Sequence, residues 1–358
     1  MSNHFVKHQK QFLIRHAGNM GDMVFFVPPI LETLKTVYPD CHITFITAWG
    51  FKEKNHGYGK RNQGGFCISL MMHNPHIDQL VHWHDQKTSL KGSICIEEGR
   101  HIPTWSREYY ENQKKSELWD GVFELDVGIA QGENPMKRLY KHIGMQNETN
   151  TNYKLYFSDY DLAVAKHIMS KYPHPRIVLL EGLEGASTRG WDADKIPSLE
   201  HAISRTYSAA PIWFGAKYIH EYQGRPLTLR ENIATLMHCD AAIGVLSGPL
   251  HFAAAVGLPV LTLLCDQPIH RADPAYFLNK SIADDTKKHR TLLGPTGYEM
   301  GFLKEGSTQI NLTPAEWAQQ KYADWNNPGV QGKKSCLSVI TVHEIMAALA
   351  DMVHNPSI

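Results

Sequence analysis

Residues 240–265, DAAIGVLSGPLHFAAAVGLPVLTLLC, contain two short apolar runs separated by a helix-forming stretch. The runs at 240–245 and 258–264 have the length of buried strands, and the alanine-rich segment 252–255 favours a helix between them. This order predicts a βαβ unit, in which the helix begins just past the carboxyl end of the first strand. The loop at 245–251, VLSGPLH, lies at that junction.

The loop at 245–251 has the residue types of an anion-binding helix start. Unpaired backbone N–H groups and the positive end of the helix dipole face outward at such a place. Ser247 offers a hydroxyl donor, Gly248 allows a close backbone approach, and Pro249 suits a position with no N–H to lose. His251 falls in the first turn. The loop therefore predicts a phosphate site; alternatively, it is a capped helix that binds nothing.

Length and composition restrict the class of protein. A chain of 358 residues predicts two domains. The 36 Lys and Arg residues balance the 36 Asp and Glu residues, which argues against nucleic acid or an anionic membrane as the main partner. The 6 cysteines form no CxxC pair, and no apolar run reaches the roughly 18 residues of a membrane-spanning helix. We expect a soluble, cytoplasmic protein with no integral membrane segment and no nucleic acid partner.

A second strand, loop and helix open the chain. The apolar run at 12–17 is followed by GNMGD at 18–22, and then by apolar residues at helical spacing over 24–37. Pro28 and Pro29 lie inside this pattern. We expect them to kink the helix or to restart it, because an interior proline loses a backbone hydrogen bond.

Strands and helices alternate along the rest of the chain, which predicts the α/β class with parallel sheets. The polar stretch at 144–152 marks a linker between an N-terminal Rossmann-like domain, 1–150, and a second such domain, 151–340. Residues 273–334 are irregular and polar and are interpreted as an insertion; a helical segment, 341–358, closes the chain. Further strands are predicted at 42–48, 77–83, 93–96, 176–180 and 211–214, and helices at 159–172, 199–207 and 342–353.

Four motifs in order resemble those of glycosyltransferase family 9, the heptosyltransferases of lipopolysaccharide assembly. They are GNMGD at 18–22, GASTRGW at 185–191, SGPLH at 247–251 and CLSVITVHEIMAAL at 336–349. The resemblance implies a GT-B fold of two facing Rossmann-like domains. It implies a nucleotide-sugar donor on the C-terminal domain, of which ADP-heptose is the example, and a glycan or glycolipid acceptor on the N-terminal one. The oligomeric state stays open.

The resemblance also implies an inverting displacement that uses neither a metal nor another cofactor. Asp22 matches the aspartate of the family's GD motif, and we expect it to take the proton from the acceptor hydroxyl. Alternatively, Asp22 is a helix N-cap. His16 is the substitute candidate for the base, and Gly18 and Gly21 belong to the same acceptor-side loop.

The departing diphosphate needs fixed donors and positive charge. Arg189 stands where the family usually has lysine, and its forked guanidinium suits phosphate oxygens; alternatively, it is a solvent-facing loop charge. Trp191 is expected to pack in the core rather than to stack on a ligand. The candidate diphosphate-binding residues are Ser187, Arg189, Ser247, Gly248 and His251.

Two departures distinguish this chain from the family pattern. Leu246 stands where the family has an acidic residue before the phosphate loop, and the family's acidic helix after 214–216 is missing. Lys217 and Glu221 are available to replace the lost contact, or are exposed loop charges. These departures leave an alternative function: a catalytically degenerate GT-B protein that binds a nucleotide-sugar or glycan without turnover.

Two other enzyme classes have weaker support. The 21 histidines suggest a metal site, for which His82 and His84 on one strand face are the best candidates, but no HExxH or Cys/His spacing accompanies them. A nicotinamide oxidoreductase also has two Rossmann-like domains. However, GNMGD lacks the third glycine of GxGxxG, and no acidic residue closes a second strand. The sequence therefore predicts neither a metal site nor a nicotinamide cofactor.

Overall fold

The chain forms two compact units in the computed structural model. The first comprises residues 1–127 and 139–158, and the second comprises 128–138 and 159–358. The domain limits predicted from the sequence stay predictions. The structure describes residues 9–16, 20–48, 66–84, 93–95, 101–125, 134–145, 153–184, 190–215, 217–264, 273–278, 289–293, 337 and 340–353.

The described part of the first unit contains a six-stranded sheet. Its strands are β1 (Gln11–His16), β2 (His42–Ala48), β3 (Gln79–His84), β4 (Ser93–Cys95), β5 (His101–Ser106) and β6 (Gly121–Glu124). They lie in the order β4-β5-β3-β2-β1-β6, and only the β4–β5 pair is antiparallel. Strands β2 to β5 lie on one side of β1, and β6 lies on the other side. The strand order therefore reverses between β1 and β6.

The first long helix runs through both of its prolines. The helices of this part of the chain are α1 (Met20–Val37), α2 (Phe66–Met71), α3 (Arg107–Lys114) and α4 (Pro135–His142). Pro28 and Pro29 lie inside α1, so the helix is not restarted there. Val24, Val27 and Ile30 are fully buried on either side of the prolines. Each such side chain contributes about 1.5–3 kcal/mol by burial, which offsets the lost backbone hydrogen bonds.

The second unit is built on a five-stranded parallel sheet in its described part. The strands of the unit are β7 (Ile177–Leu180), β8 (Ile212–Phe214), β9 (Glu221–Tyr222), β10 (Arg225–Pro226), β11 (Ala241–Val245), β12 (Val260–Leu264) and β13 (Arg290–Leu293). The sheet order is β13-β12-β11-β7-β8, while β9 and β10 form a separate antiparallel pair. This is a doubly wound order that reverses between β7 and β11. Such proteins bind ligands at the carboxyl ends of the strands beside that reversal.

Helices cover the second sheet, and the last of them closes its core. They are α5 (Asp159–Met169), α6 (Ile196–Tyr207), α7 (Leu229–Thr235), α8 (Gly248–Ala255), α9 (Pro274–Leu278) and α10 (Val342–Val353). Ile345 and Leu349 of α10 share a buried apolar cluster with Leu199 and Ile203 of α6. The predicted helix at 342–353 is confirmed. Among the described helices, none combines the length and the apolar character needed to cross a bilayer.

Part of the stretch interpreted as an insertion, 273–334, belongs to the sheet. Strand β13 pairs with β12 in parallel. Asp273 accepts hydrogen bonds from the Ala275 N–H at the start of α9 (3.2 Å) and from the Thr291 hydroxyl of β13 (2.5 Å). The sequence pattern missed these elements because both are short and lie among polar residues. Residues 294–336 lie outside the described part of the chain.

Candidate functional site

Ser247 is the N-cap residue of α8, directly after β11. Gly248 and Pro249 are the first two helical residues, where proline loses no backbone hydrogen bond. The Ser247 side chain makes no capping hydrogen bond. Its Oγ is buried and has no hydrogen-bond partner among the described residues. A buried polar atom without a partner costs about 1–3 kcal/mol, so this hydroxyl is suited to bind a ligand atom.

The segment that follows β7 lies beside Ser247. Gly182 has a φ of +103°, a backbone conformation that favours glycine, and a Cβ at this position would lie 3.9 Å from Ser247 Cβ. The Trp191 N–H donates a hydrogen bond to the Leu183 carbonyl at 2.9 Å. Leu183, after β7, and Trp191 are therefore held next to each other. The carboxyl ends of β7 and β11 carry adjoining loops at the reversal of strand order.

Three of the predicted site residues, Gly18, Ser187 and Arg189, lie outside the described residues. Trp191, at the end of the motif that contains Arg189, is 1% exposed and belongs to the core of the second unit. Its indole N–H donates to the Ile340 carbonyl at 3.0 Å. The expectation that Trp191 packs in the core is confirmed.

His251 lies in α8 but does not carry charge at neutral pH. The residue is 6% exposed, and burial lowers the pKa of its imidazole to about 4. A neutral imidazole can donate or accept a hydrogen bond but cannot neutralise a diphosphate. The predicted diphosphate site therefore requires positive charge from the dipole of α8 and from a basic side chain, which the sequence predicts to be Arg189.

Asp22 is the third residue of α1 and is half-buried. An acidic side chain in a first turn is stabilised by the helix dipole. Because the helix begins before Asp22, this residue is not its N-cap. Gly21 is buried beside it, and His16 is buried at the carboxyl end of β1. His16 and Asp22 thus flank the loop that leaves β1, next to β6, where the strand order of the first sheet reverses.

A row of polar side chains crosses the first sheet at its carboxyl edge. The strand register aligns His16 with Thr47, Thr47 with His82, and His82 with Thr104. The first three are buried, and His82 Nδ1 lies 3.5 Å from Thr104 Oγ1. The sequence pattern pairs His82 only with His84, as a candidate metal site. In the described ranges, no group of three or more His, Cys, Asp and Glu residues is placed to hold a metal ion. Alternation within each strand hinted at the row, but the register between strands is not readable from sequence.

Another carboxylate at this edge is already engaged. Glu124, at the end of β6, accepts hydrogen bonds from Lys114 Nζ and Tyr110 Oη, both at 2.9 Å. Burial alone would raise the pKa of Glu124, but these hydrogen bonds outweigh it and the pKa is lowered. Glu124 therefore stays ionised and held by its partners, which disfavours it as a proton acceptor.

The fold defines an α/β protein with two Rossmann-like units, and the start of α8, with its unpartnered Ser247 hydroxyl, lies at the strand-order reversal of the second. Residues 225–289 match the model of glycosyltransferase family 9 (heptosyltransferase). This match confirms the family resemblance predicted from the sequence, and with it glycosyltransferase as the class of enzyme. A search of the curated proteins matched none of them to this chain.

The chain is similar to several solved structures. The chain is similar to the crystal structure of a family 9 glycosyl transferase from Veillonella parvula, with a TM-score of 0.59 and 16% identity over 97% of this chain and 98% of that one. It is also similar to the iron-containing dodecameric glycosyltransferase TibC from enterotoxigenic E. coli (TM-score 0.48, 11% identity, 97% and 76% covered). The E. coli ADP-heptose LPS heptosyltransferase II gives a TM-score of 0.46 and 14% identity, with 88% and 98% covered. The first likeness confirms the predicted α/β fold of the GT-B kind.

Proposed function

We propose that this chain transfers a heptose-like sugar from a nucleoside diphosphate sugar to a glycan or lipopolysaccharide-type acceptor. The reaction proceeds with inversion and without a metal, and ADP-heptose is the first donor to test. The observation that carries the proposal is the Ser247 hydroxyl, buried without a protein partner in the described structure at the start of α8. The family match over 225–289 supports the heptosyl class of donor. The limits 1–150 and 151–340, for the acceptor-side and donor-side domains, are part of this proposal, as is a cytoplasmic location.

In the proposed step, the acceptor oxygen bonds to the anomeric carbon while the bond from that carbon to the diphosphate breaks. The hydroxyl proton passes to the Asp22 carboxylate, and the electron pair of the broken bond stays on the diphosphate. The N–H groups at the start of α8 and the Arg189 guanidinium stabilise that charge, while the Ser247 hydroxyl donates a hydrogen bond. Ser187, Gly248 and His251 complete the donor site, and Gly18 and Gly21 shape the acceptor-side loop.

Replacing Asp22 tests the chemistry separately from binding. Asp22→Asn keeps the size of the side chain and removes the base, so we expect transfer to fall by about 10²–10⁴-fold, with nucleotide affinity unchanged. Transfer is measured with ADP-heptose and a lipopolysaccharide-core acceptor, and affinity by calorimetry with ADP, GDP and UDP. Asp40→Asn, an exposed aspartate of the same unit, is the matched control and should keep full activity.

Retained transfer in Asp22→Asn would rule out Asp22 as the base. His16 would then be the next candidate for the base. Running the same assay in EDTA tests metal independence: transfer should persist, and a loss that an added divalent cation restores would contradict it. A wild-type chain that binds none of the nucleotides would overturn the proposal as a whole.

The second candidate is a degenerate GT-B protein that binds a nucleotide-sugar or glycan without turnover. It is supported by Leu246, which places an apolar side chain immediately before Ser247 where the family has an acidic one. Nucleotide binding by the wild type with no transfer to any acceptor would favour this function. Measurable transfer that depends on Asp22 would exclude it.

A further inference from the structure

Three aromatic side chains form a cluster on one face of the first sheet, at its carboxyl edge. Trp83 of β3 and Trp105 of β5 are paired in the strand register, and each is next to last in its strand. Residues paired in this way point to the same face, on strands about 4.8 Å apart. Tyr109, the third residue of α3, meets Trp105 edge to face, with ring centroids 5.0 Å apart. These three residues are called the aromatic platform below.

The aromatic platform is only partly covered by the rest of the protein. Tyr109 is 48% exposed, whereas Trp83 and Trp105 are half-buried. The next residue of α3, Tyr110, is 1% exposed and belongs to the core beneath the helix. Tyr110 therefore anchors α3, and Tyr109 is held outside that core. A ring that its neighbours already hold in place loses little conformational freedom when a ligand stacks on it.

Charged side chains border the aromatic platform on the side towards β1. The Arg15 guanidinium lies over the Trp83 ring, with its Cζ 4.4 Å from the ring centroid. Glu124 accepts hydrogen bonds from Lys114 Nζ and Tyr110 Oη, both at 2.9 Å. The exposed fractions of the side chains are 16% for Arg15, 29% for Lys114 and 39% for Glu124. Hydrogen-bonding groups in fixed positions thus lie beside the exposed rings.

The combination of aromatic rings and fixed charges suits a sugar. The C–H face of a sugar ring is apolar and packs on an aromatic ring, whose negative face attracts the weakly positive hydrogens. The hydroxyl groups around the sugar ring form strong hydrogen bonds to charged donors and acceptors. The indole nitrogen of Trp83 is a further donor, because it is buried without a partner among the described residues. A lipid chain would instead favour a larger apolar patch without such groups.

The aromatic platform lies on the edge of the sheet that carries the predicted acceptor loop. Strands β1, β2, β3 and β5 are parallel neighbours in that order, so their carboxyl ends share this edge. His16 ends β1, and Asp22 follows in α1. Three strand spacings separate β5 from β1, a distance of about 14 Å. This distance is longer than one sugar ring, so a sugar on the platform is not the sugar that reacts at Asp22.

We infer that the aromatic platform binds a sugar of the acceptor glycan that is distant from the reacting hydroxyl, with Arg15 and Glu124 bonding to its hydroxyl groups. The inference rests on the proposed function and makes its acceptor more specific. The acceptor is an oligosaccharide rather than a single sugar, and it lies along the carboxyl edge of the first sheet.

Tyr109→Ala removes the most exposed ring of the platform and tests the inference on the full chain. The acceptors are a lipopolysaccharide-core oligosaccharide and its terminal monosaccharide, with ADP-heptose as the donor. For the oligosaccharide, we expect KM to rise roughly tenfold, the effect of one lost stacking contact. The kcat should stay unchanged, because the ring is far from the reacting atoms. Transfer to the monosaccharide should match the wild type. Tyr109→Phe keeps the ring and should restore the wild-type KM.

Tyr38→Ala is the matched control. Tyr38 is 39% exposed and lies at the opposite, amino end of the sheet, between α1 and β2, where it contacts Phe12. Its replacement should leave KM unchanged for both acceptors. Calorimetry with the oligosaccharide alone, on the wild type and on each variant, makes the test independent of turnover.

The possible failures are distinguishable. An unchanged KM and affinity for the oligosaccharide in Tyr109→Ala, or an equal loss in Tyr109→Phe, overturns the platform and leaves the proposed function standing. A wild type that binds the oligosaccharide no better than the monosaccharide also overturns the platform. A wild type whose binding of the oligosaccharide depends on the Tyr109 ring, but which transfers no sugar, supports the platform and overturns the proposed transfer.

Discussion

His251 and His289 are two imidazoles in the interior of the second unit, and both are neutral for the same reason. Burial lowers the pKa of each to about 4, against about 6.5 in an unfolded chain. Val260 N–H donates to His289 Nδ1 at 3.3 Å, a hydrogen bond that requires the unprotonated nitrogen. At the residue scale, the interior therefore holds histidines that resist protonation.

These pKa values predict how stability changes with pH. Between pH 6.5 and 4 the unfolded chain binds more protons than the folded one, so stability is full above pH 6.5 and is lost as the pH falls towards 4. Each histidine should lower the free energy of unfolding at pH 5 by on the order of 2 kcal/mol relative to pH 7. Urea denaturation at the two pH values measures the difference. His251→Gln should show a smaller difference, and a wild type equally stable at both values would contradict the prediction.

At the scale of elements, helices α5 and α7 are joined by a buried ion pair. Arg230 Nε donates to Asp161 Oδ2 at 2.8 Å, and Arg230 Nη2 donates to Asp161 Oδ1 at 3.2 Å. Both side chains are only 2% exposed. Such a pair costs desolvation energy when it forms, and removing one partner leaves the other charge buried and uncompensated.

Substitutions of Arg230 and Asp161 should therefore have strongly coupled effects on the free energy of unfolding. Arg230→Met should lower the free energy of unfolding by about 3–5 kcal/mol, and adding Asp161→Leu should recover much of that loss. Urea denaturation of the single and double variants gives the coupling. Lys10→Met, which breaks the exposed Lys10–Asp120 pair, is the control and should change stability far less. Additive losses in the double variant would show that the two side chains do not depend on each other.

At the scale of the whole molecule, distant parts of the chain complete one core in the second unit. Leu349 of α10 is fully buried in the cluster that contains β7 and β11. The indole of Trp191 binds the carbonyl of Ile340, just before α10, although 149 positions separate the two. The last helix is thus part of the sheet's covering layer.

Truncating Leu349 should consequently destabilise the whole second unit. Leu349→Ala leaves a cavity in that core and should cost about 2–5 kcal/mol. Hydrogen exchange should show faster exchange in β7 and β11 as well as in α10 itself. His343→Ala, on the exposed side of the same helix, should change stability by about 0.5 kcal/mol or less. Faster exchange confined to α10 would mean that the helix unfolds independently of the sheet.

Helices and strands with a clear hydrophobic periodicity could be predicted from the sequence, whereas mostly polar ones could not. The predictions for 42–48 and 342–353 match β2 (His42–Ala48) and α10 (Val342–Val353) residue for residue, because alternating or helical periodicity is a local property. Helices α3 and α7 were missed. The sequence of α3, REYYENQK, has one buried side chain, Tyr110, and its helical form depends on packing against the sheet rather than on its own pattern.

The sequence by itself determined the α/β class, the two parallel sheets and the Ser247-Gly248-Pro249 start of α8, since turn chemistry and periodicity act over a few neighbouring residues. Only the tertiary structure decided that β7 lies beside β11, that Gly182 therefore meets Ser247, and that Glu184 comes within 3.8 Å of Lys217. It also decided that His251 is neutral. Strand order and burial follow from long-range packing, which brings together residues whose separation along the chain carries no signal of their contact.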